Sequence, residues 1–279
     1  MSQIYEALQK VKTGQTGSAP NVARKPLMRR GTDTAAAAMS MRGRDSGLSA
    51  MARRIVLDAE TLQNHRVVAS SDTVGTSTAY KMLRTRVLQR MRANAWNRLA
   101  ISSARPSAGK TLTAINTAIT LSFEPNQMVI LADLDLRRPS MAGYLGIEGE
   151  YGLCDYLRGD APLEKVIVKP DLERLLILPN FRANQHSAEL LSSQRMVDLV
   201  ETLTDPANST TVIFDLPPLL DADDVLAFSP LFDALLMVVS QSETRRLDLH
   251  KSFELLHDIN VLGVVLNKSR GKDETPGYY

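Results

Sequence analysis

RLAISSARPSAGKT, residues 98–111, is the stretch whose reading decides the fold. Arg98 to Ser102 places apolar residues at consecutive positions, the pattern of a short strand buried on both faces. Lys110 to Ser122 then predicts a helix, and Ala104 to Thr111 (ARPSAGKT) is the turn between the two. A tight loop entering a helix gathers backbone N–H groups and the positive end of the helix dipole on one spot, which suits an anion. Against the pattern GxxxxGK[ST] the first glycine is replaced by Ala104, so the strict motif fails by one residue. The tripeptide Gly109-Lys110-Thr111 by itself says little, because roughly one chain in seven of this length carries such a tripeptide by chance. Its position between a buried strand and a helix is what gives it meaning. In that position Lys110 reaches the β and γ phosphates of a nucleotide, the Thr111 hydroxyl ligates Mg²⁺, and Arg105, Ser107, Ala108, Gly109 and Leu112 complete the cradle. The competing reading is an ordinary strand-to-helix turn with a surface lysine.

Downstream, short β-rich runs alternate with helical patterns. Strands are predicted at Met128 to Ala132, Leu175 to Leu178, Thr211 to Phe214, Leu235 to Val239 and Gly263 to Leu266, and helices at Ser187 to Leu203 and Thr244 to Asp258. Upstream, Ser77 to Met91 reads as a helix with Tyr80, Leu83, Val87, Leu88 and Met91 on one stripe. Apolar strands alternating with helices predict an α/β fold, a doubly wound, mostly parallel sheet with helices on both faces. Such sheets bind ligands beyond the carboxyl ends of their strands. Two predicted strands end on carboxylates: VILA runs into Asp133 and Asp135 in ADLDLRRP, and TVIF ends on Asp215 in DLPP. Carboxylates facing a phosphate loop supply the hard oxygens that a magnesium nucleotide needs, and one of an adjacent pair can orient or deprotonate a nucleophile. A lone aspartate ending a strand is usually a turn former; three strand-end motifs in this order are not.

The 279 residues carry 33 Lys plus Arg against 31 Asp plus Glu, but that near balance averages unlike parts. Residues 10–66 hold 11 basic and 4 acidic side chains, a surplus of seven, attached to a mildly acidic remainder. Residues 1–12 read as a short amphipathic helix with Ile4, Leu8 and Val11 on one side, and 13–66 as a disordered basic linker poor in large apolar residues. The nucleotide-binding body is expected over 67–270 and a flexible tail over 271–279. Two readings of the linker arginines stand: solvation of a flexible segment, or contact of residues 10–66 with anionic lipid or an acidic partner. No aromatic interleaving or recognition helix points to nucleic acid. One cysteine, Cys154, and four scattered histidines exclude an internal disulfide and a Cys/His zinc site. The longest uncharged apolar run, Ala234 to Val239, falls far short of the ~20 residues of a bilayer span. Without a basic, apolar leader at Met1, a cytoplasmic location is expected.

The trio ARPSAGKT, VILADLDLRRP and VIFDLPP resembles the Walker A, Walker A′ and Walker B motifs of the bacterial tyrosine autokinases of capsule and exopolysaccharide export, the CpsD/CapB family within the MinD/ParA class of P-loop ATPases. AYKMLRT, LPNFRANQHSAELLSSQRM and GVVLNKS are similar as well, so the resemblance covers about residues 74–268. It implies ATP- and Mg²⁺-dependent phosphorylation of tyrosines. Lys110 and Thr111 would bind phosphate and metal, Asp133 would activate the tyrosine hydroxyl and help hold the metal site, Asp135 would support it and Asp215 would organise Mg²⁺ through water. It also implies a homo-oligomer or dimer that phosphorylates in trans, and a membrane-embedded polysaccharide chain-length or co-polymerase partner that holds the protein at the inner membrane. The acceptors offered are Tyr278 and Tyr279, fewer than the tyrosine-rich tail of the family; an incidental tail is the competing reading. The helix motif that joins relatives into rings, Glu, two residues, Arg, two residues, Arg, falls here on Thr78, Lys81 and Arg84, which puts that assembly in doubt. Arg105 stands where MinD/ParA relatives carry a lysine that crosses a dimer, so a trans cation and a solvated loop arginine are both open. A regulatory ATPase switch of the MinD/ParA kind without tyrosine phosphorylation is the alternative function, and a nucleotide-binding scaffold a third.

Overall fold

Runs of consecutive apolar residues need cover on both sides, and the computed structural model of the chain gives it to them. It describes residues 47–67, 74–125, 127–172, 174–204, 210–241 and 243–269, all within the unit Met41–Tyr279. The strands are β1 (Arg53–Arg54), β2 (Arg98–Ser103), β3 (Met128–Asp133), β4 (Val168–Lys169), β5 (Leu175–Leu178), β6 (Thr210–Asp215), β7 (Ala234–Ser240) and β8 (Val261–Asn267). They form one sheet in the order β1-β4-β5-β3-β6-β2-β7-β8. Every pair is parallel except β4 with β5. The doubly wound, mostly parallel sheet read from the sequence is therefore the fold. β2, β3 and β6 lie side by side at its centre, with Asp133 in register with Asp215. That adjacency brings the three motif loops to one end of the sheet.

The pleat sends alternate side chains to opposite faces. Ala100, Ile130, Ala132 and Phe214 enter one core; Leu99, Ile101, Val129 and Leu131 enter the other. The second core is covered by α1 (Ala59–Asn64), α2 (Val74–Ala93), α3 (Lys110–Ser122) and α4 (Met141–Leu145), through residues such as Leu62, Val87, Ile115, Ile119 and Leu145. The first is covered by α5 (Leu153–Arg158), α6 (Leu163–Val166), α7 (Ser187–Leu191), α8 (Gln194–Leu203) and α9 (Asp224–Phe228), with α10 (Arg246–Leu255) and its C-cap Leu256 beyond β7. The single helix expected over 187–203 is two helices. Ser193 leaves helical geometry (φ −71°, ψ 153°) and its hydroxyl accepts the Met196 N–H at 3.2 Å, so a serine cap ends one helix and starts the next.

The linker expected over 13–66 ends earlier than its composition implied. β1 pairs with β4, Arg53 N–H donates to the Ile167 carbonyl at 3.0 Å and Ile55 N–H to the Lys169 carbonyl at 2.9 Å. Asp58 caps α1 by accepting the Thr61 N–H at 2.8 Å. Leu57, Leu62 and Val67 are buried. Burial of each such side chain contributes about 1.5–3 kcal/mol, which is how a segment with few apolar residues still docks. The ordered body thus begins by residue 47, not 67. The helix expected over 1–12 and the linker from 13 to 46 lie outside the described residues, and six of the seven surplus positive charges fall in residues 10–46. Among the described residues no helix is long and apolar enough to cross a membrane.

Candidate active site

β2 ends at Ser103 and the chain turns through the loop into α3. The turn is made by Ser107 (φ 61°) and Gly109 (φ 91°), both left-handed, whereas Ala104 is not at a positive φ. The missing first glycine is therefore no conformational defect: Ala104 sits fully buried, and the residues that need the left-handed region come later. A side chain at Gly109 would strike the Asn267 amide, whose Nδ2 donates to the Ala108 carbonyl at 2.9 Å. The end of β8 is thus stitched onto the loop.

Four charged side chains meet where β2, β3 and β6 end. Lys110 Nζ lies 2.7 Å from Asp135 Oδ2 and 3.5 Å from Asp215 Oδ1, and its side chain is only 10% exposed. The same nitrogen donates to Thr111 Oγ at 3.3 Å. Asp133, fully buried, accepts the Asp135 N–H at 3.2 Å and the Met141 N–H at 3.3 Å, which fixes it against the start of α4. Burial, and then the neighbouring Asp215 carboxylate, push the Asp133 carboxyl well above the ordinary range. Burial raises Asp215 as well. Burial works against the charge on Lys110, but the carboxylates of Asp215, Asp135 and Asp133 outweigh it and hold its pKa above the usual value. Asp215 Oδ2 is buried without a hydrogen-bond partner.

Lys110, Thr111 and Asp135 line a cleft of about 1540 Å³, together with the loop, the segment after β3, Pro217 and Pro218, and the end of β8, while Asp133 and Asp215 are fully buried. Lys110, Thr111, Asp133, Asp135 and Asp215 come together at this end of the sheet. Ser107 and Gly109 line the same cleft, Leu112 forms part of its wall on α3, and Ala108 is buried beneath it. Arg105 is turned to its own chain, 3.1 Å from Asp221 and 3.2 Å from Asp248. Arg84 of α2 pairs with Glu124 at 3.1 Å. Tyr278 and Tyr279 lie outside the described residues. Among the described residues no three His, Cys, Asp or Glu side chains form a ready metal cage.

Several residues at the cleft escaped the sequence reading. Asn267 ends a strand in GVVLNKS and was open to the same strand-end rule that found Asp133. Ser140 donates to Thr111 Oγ at 3.3 Å with no motif to announce it. His65 and Arg66 line the cleft from a segment whose composition read as linker.

No family model matches the chain. It is 29% identical over 206 residues to the tyrosine-protein kinase YwqD of Bacillus subtilis, covering 73% of this chain and 86% of that one. It is 35% identical over 177 residues to the succinoglycan biosynthesis transport protein ExoP of Rhizobium meliloti, covering 61% of this chain but only 22% of that much longer protein. Among solved structures, the kinase domain of Escherichia coli tyrosine kinase ETK superposes with a TM-score of 0.68 at 26% identity, over 76% of this chain and 83% of that one. The septum site-determining protein MinD of Pyrococcus horikoshii, solved with Mg-ADP, shares the fold at a TM-score of 0.52 and 22% identity, over 62% and 72%.

Proposed function

We propose that the chain is one of the bacterial tyrosine autokinases of capsule and exopolysaccharide biosynthesis, built on the MinD/ParA-type P-loop ATPase fold, and that its cleft binds ATP with Mg²⁺ and moves the γ-phosphoryl group to tyrosine hydroxyls of the chain itself. The observation that carries this reading is the convergence of Lys110 with Asp133, Asp135 and Asp215 at the ends of three central strands. The residues fit the ligand. Ser107 and Gly109 fold the loop as an anion nest, Thr111 and Asp215 offer hard oxygens, and Asp215 Oδ2 is a buried acceptor still lacking a partner. Mg²⁺ held by Thr111 and Asp215, with Asp133 beside them, would neutralise charge on the phosphates during in-line transfer.

The chain's own groups divide the remaining work. Lys110 exchanges its carboxylate partners for phosphate oxygens, and the backbone N–H groups of the loop and of the α3 N-terminus hold the rest of the phosphate charge. Asp133 takes the phenolic proton; its raised pKa makes it a better base than an ordinary carboxylate. As the phenol oxygen bonds to the γ phosphorus, the bond to the β,γ-bridging oxygen breaks and ADP leaves with the electron pair. Positioning supplies most of the acceleration. In the cell we assign the protein to regulation of polysaccharide polymerisation and export, with a membrane-embedded co-polymerase as partner. Residues 10–46, where the positive surplus lies, are its contact with that partner or with an anionic membrane surface.

Purified protein incubated with Mg·ATP should acquire phosphate on the peptide containing Tyr278 and Tyr279, read by mass spectrometry, and Lys110→Met should slow its appearance by about 10²–10³-fold. Absence of phosphotyrosine even with the partner's cytoplasmic segment present would overturn the kinase reading. A regulatory ATPase switch is the second reading, favoured by Thr78 and Lys81 in place of the ring motif's Glu and Arg. It predicts that a Tyr278→Phe, Tyr279→Phe double variant keeps both ATP hydrolysis and polymer export.

A further inference from the structure

Asp224, the first residue of α9, is fully buried, and neither of its carboxylate oxygens accepts a well-formed hydrogen bond. A carboxylate in that setting is costly unless a cation compensates it. The cation is Arg137, whose Nε lies 3.1 Å from Asp224 Oδ2. The single proton on that nitrogen goes to Ser187 Oγ at 2.8 Å, so the contact with Asp224 is coulombic. Ser187, also fully buried, opens α7. On the outer side, Nη2 lies 3.4 Å from the exposed Asp223. Two buried groups on two helices therefore grip the side of a guanidinium that follows Asp135 by two residues. The Arg137 side chain stays 40% exposed, lines the cleft with Lys110, Asp135 and Ser140, and its Nη1 has no partner among the described residues.

The catalytic wall is short of positive charge: Lys110 faces three carboxylates. A tyrosine that gains a phosphoryl group becomes a dianion beside Asp133 and Asp135, and Lys110 is engaged on the nucleotide side. We propose that Ser187 and Asp224 are positioning residues that fix Arg137 so that its Nη1 end binds the phosphoryl group on the acceptor side of the cleft, giving the site a grip on tyrosyl phosphate separate from its grip on nucleotide. Arg137 changes no bond in the transfer; it holds charge. Arg138 also lines the cleft, but its tie to Asp135 runs through its backbone N–H and its side chain is exposed, so it lacks the buried clamp. This inference rests on the kinase reading above.

The test uses the full chain and a synthetic peptide of residues 272–279, with and without phosphate on the Tyr278 hydroxyl. Nucleotide-free wild-type protein should bind the phosphopeptide. Asp224→Asn, Ser187→Ala and Arg137→Lys should each weaken that binding by about tenfold while the dissociation constant for Mg·ATP changes less than about twofold. Arg138→Lys should leave both within about twofold. The Asp224→Asn, Arg137→Lys double variant should be no worse than the weaker single variant, because both remove one interaction. In transfer assays the same variants should raise KM for the unphosphorylated peptide or slow its turnover without raising KM for ATP. Phosphopeptide affinity unchanged by Asp224→Asn and by Ser187→Ala, or additive losses in the double variant, would overturn the clamp. A wild-type protein that transfers nothing to the peptide would instead count against the kinase reading, and the phosphopeptide titration would still decide the clamp.

Discussion

Two cations on one loop, Lys110 and Arg105, sit at similar distances from pairs of aspartates and in opposite surroundings. Lys110 is 2.7 and 3.5 Å from its partners and 10% exposed; Arg105 is 3.1 and 3.2 Å from its partners and 49% exposed. The same separation is worth about four times more at an effective dielectric of 20 than in water. Distance alone therefore does not rank these clusters. Burial makes the Lys110 cluster an interdependent unit, in which removal of the lysine strands three carboxylates, and leaves the Arg105 cluster a surface clasp whose members are separable.

The largest effect expected from that difference follows Lys110→Met. Phosphoryl transfer should fall by about 10²–10³-fold, the scale for loss of one preorganised charge-stabilising group. Stability should fall as well, since Asp133, Asp135 and Asp215 lose their shared counter-charge, by about 3–5 kcal/mol if no proton is taken up. Proton uptake supplies the check. Asp133 and Asp215 already have raised pKa values in the folded protein, so the destabilisation of Lys110→Met should be greater at pH 8 than at pH 5.5 in calorimetric scans. A loss of stability independent of pH would break the picture of an interdependent buried unit.

A smaller effect, and of opposite sign for stability, is expected from Asp215→Asn. Its folded-state pKa lies above 3.8, so the folded protein holds the Asp215 proton more tightly than the unfolded chain does. Ionising this carboxylate therefore costs stability progressively as pH rises from about the unfolded value through the folded one, and the cost is fully present above it. The amide removes that cost. The nucleotide-free variant should melt a few degrees higher than wild type at pH 8, on the scale of the ~2–4 °C that 1 kcal/mol makes in a domain of this size, and the gain should vanish toward pH 4. Transfer activity should drop in parallel with Mg²⁺ affinity, as expected of a charge retained for function at a cost in stability.

The buried cluster was legible in the sequence and the surface clasp was not, for physical reasons. Strand-end aspartates announce themselves because residues 128–132 and 212–214 are unbroken apolar runs that stop on a charge. Asp221 and Asp248 pair with Arg105 from a turn after β6 and from α10, and no local spacing links them to residue 105. The same logic divides the fold. The six longer strands could be read from their apolar runs, whereas β1 and β4, two residues each, exist only through their pairing. Residues 47–67 were misread because three apolar contacts, Leu57, Leu62 and Val67, suffice where a preformed sheet edge and helix face receive them. The break at Ser193 was readable in principle, since a serine pair inside a helical pattern offers both a stop and a cap.

Arg105→Ala should give the smallest effect and sharpens the comparison most. The sequence left a trans cation and a loop arginine open; the geometry shows a clasp within one chain, between the loop and α10. If that clasp is the whole role, Arg105→Ala and Asp248→Asn should change nucleotide affinity alike, the double variant should add nothing, and melting should stay within the scatter of repeat scans. A trans role predicts otherwise. Mixing Arg105→Ala with Lys110→Met would then restore transfer, because the second protein donates its intact arginine to the first protein's intact nucleotide site. The expected result is no restoration. Activity of the mixture well above that of either variant alone would mean that Arg105 leaves Asp221 and Asp248 when two copies meet, a release that exposure makes cheap because water replaces the lost partners.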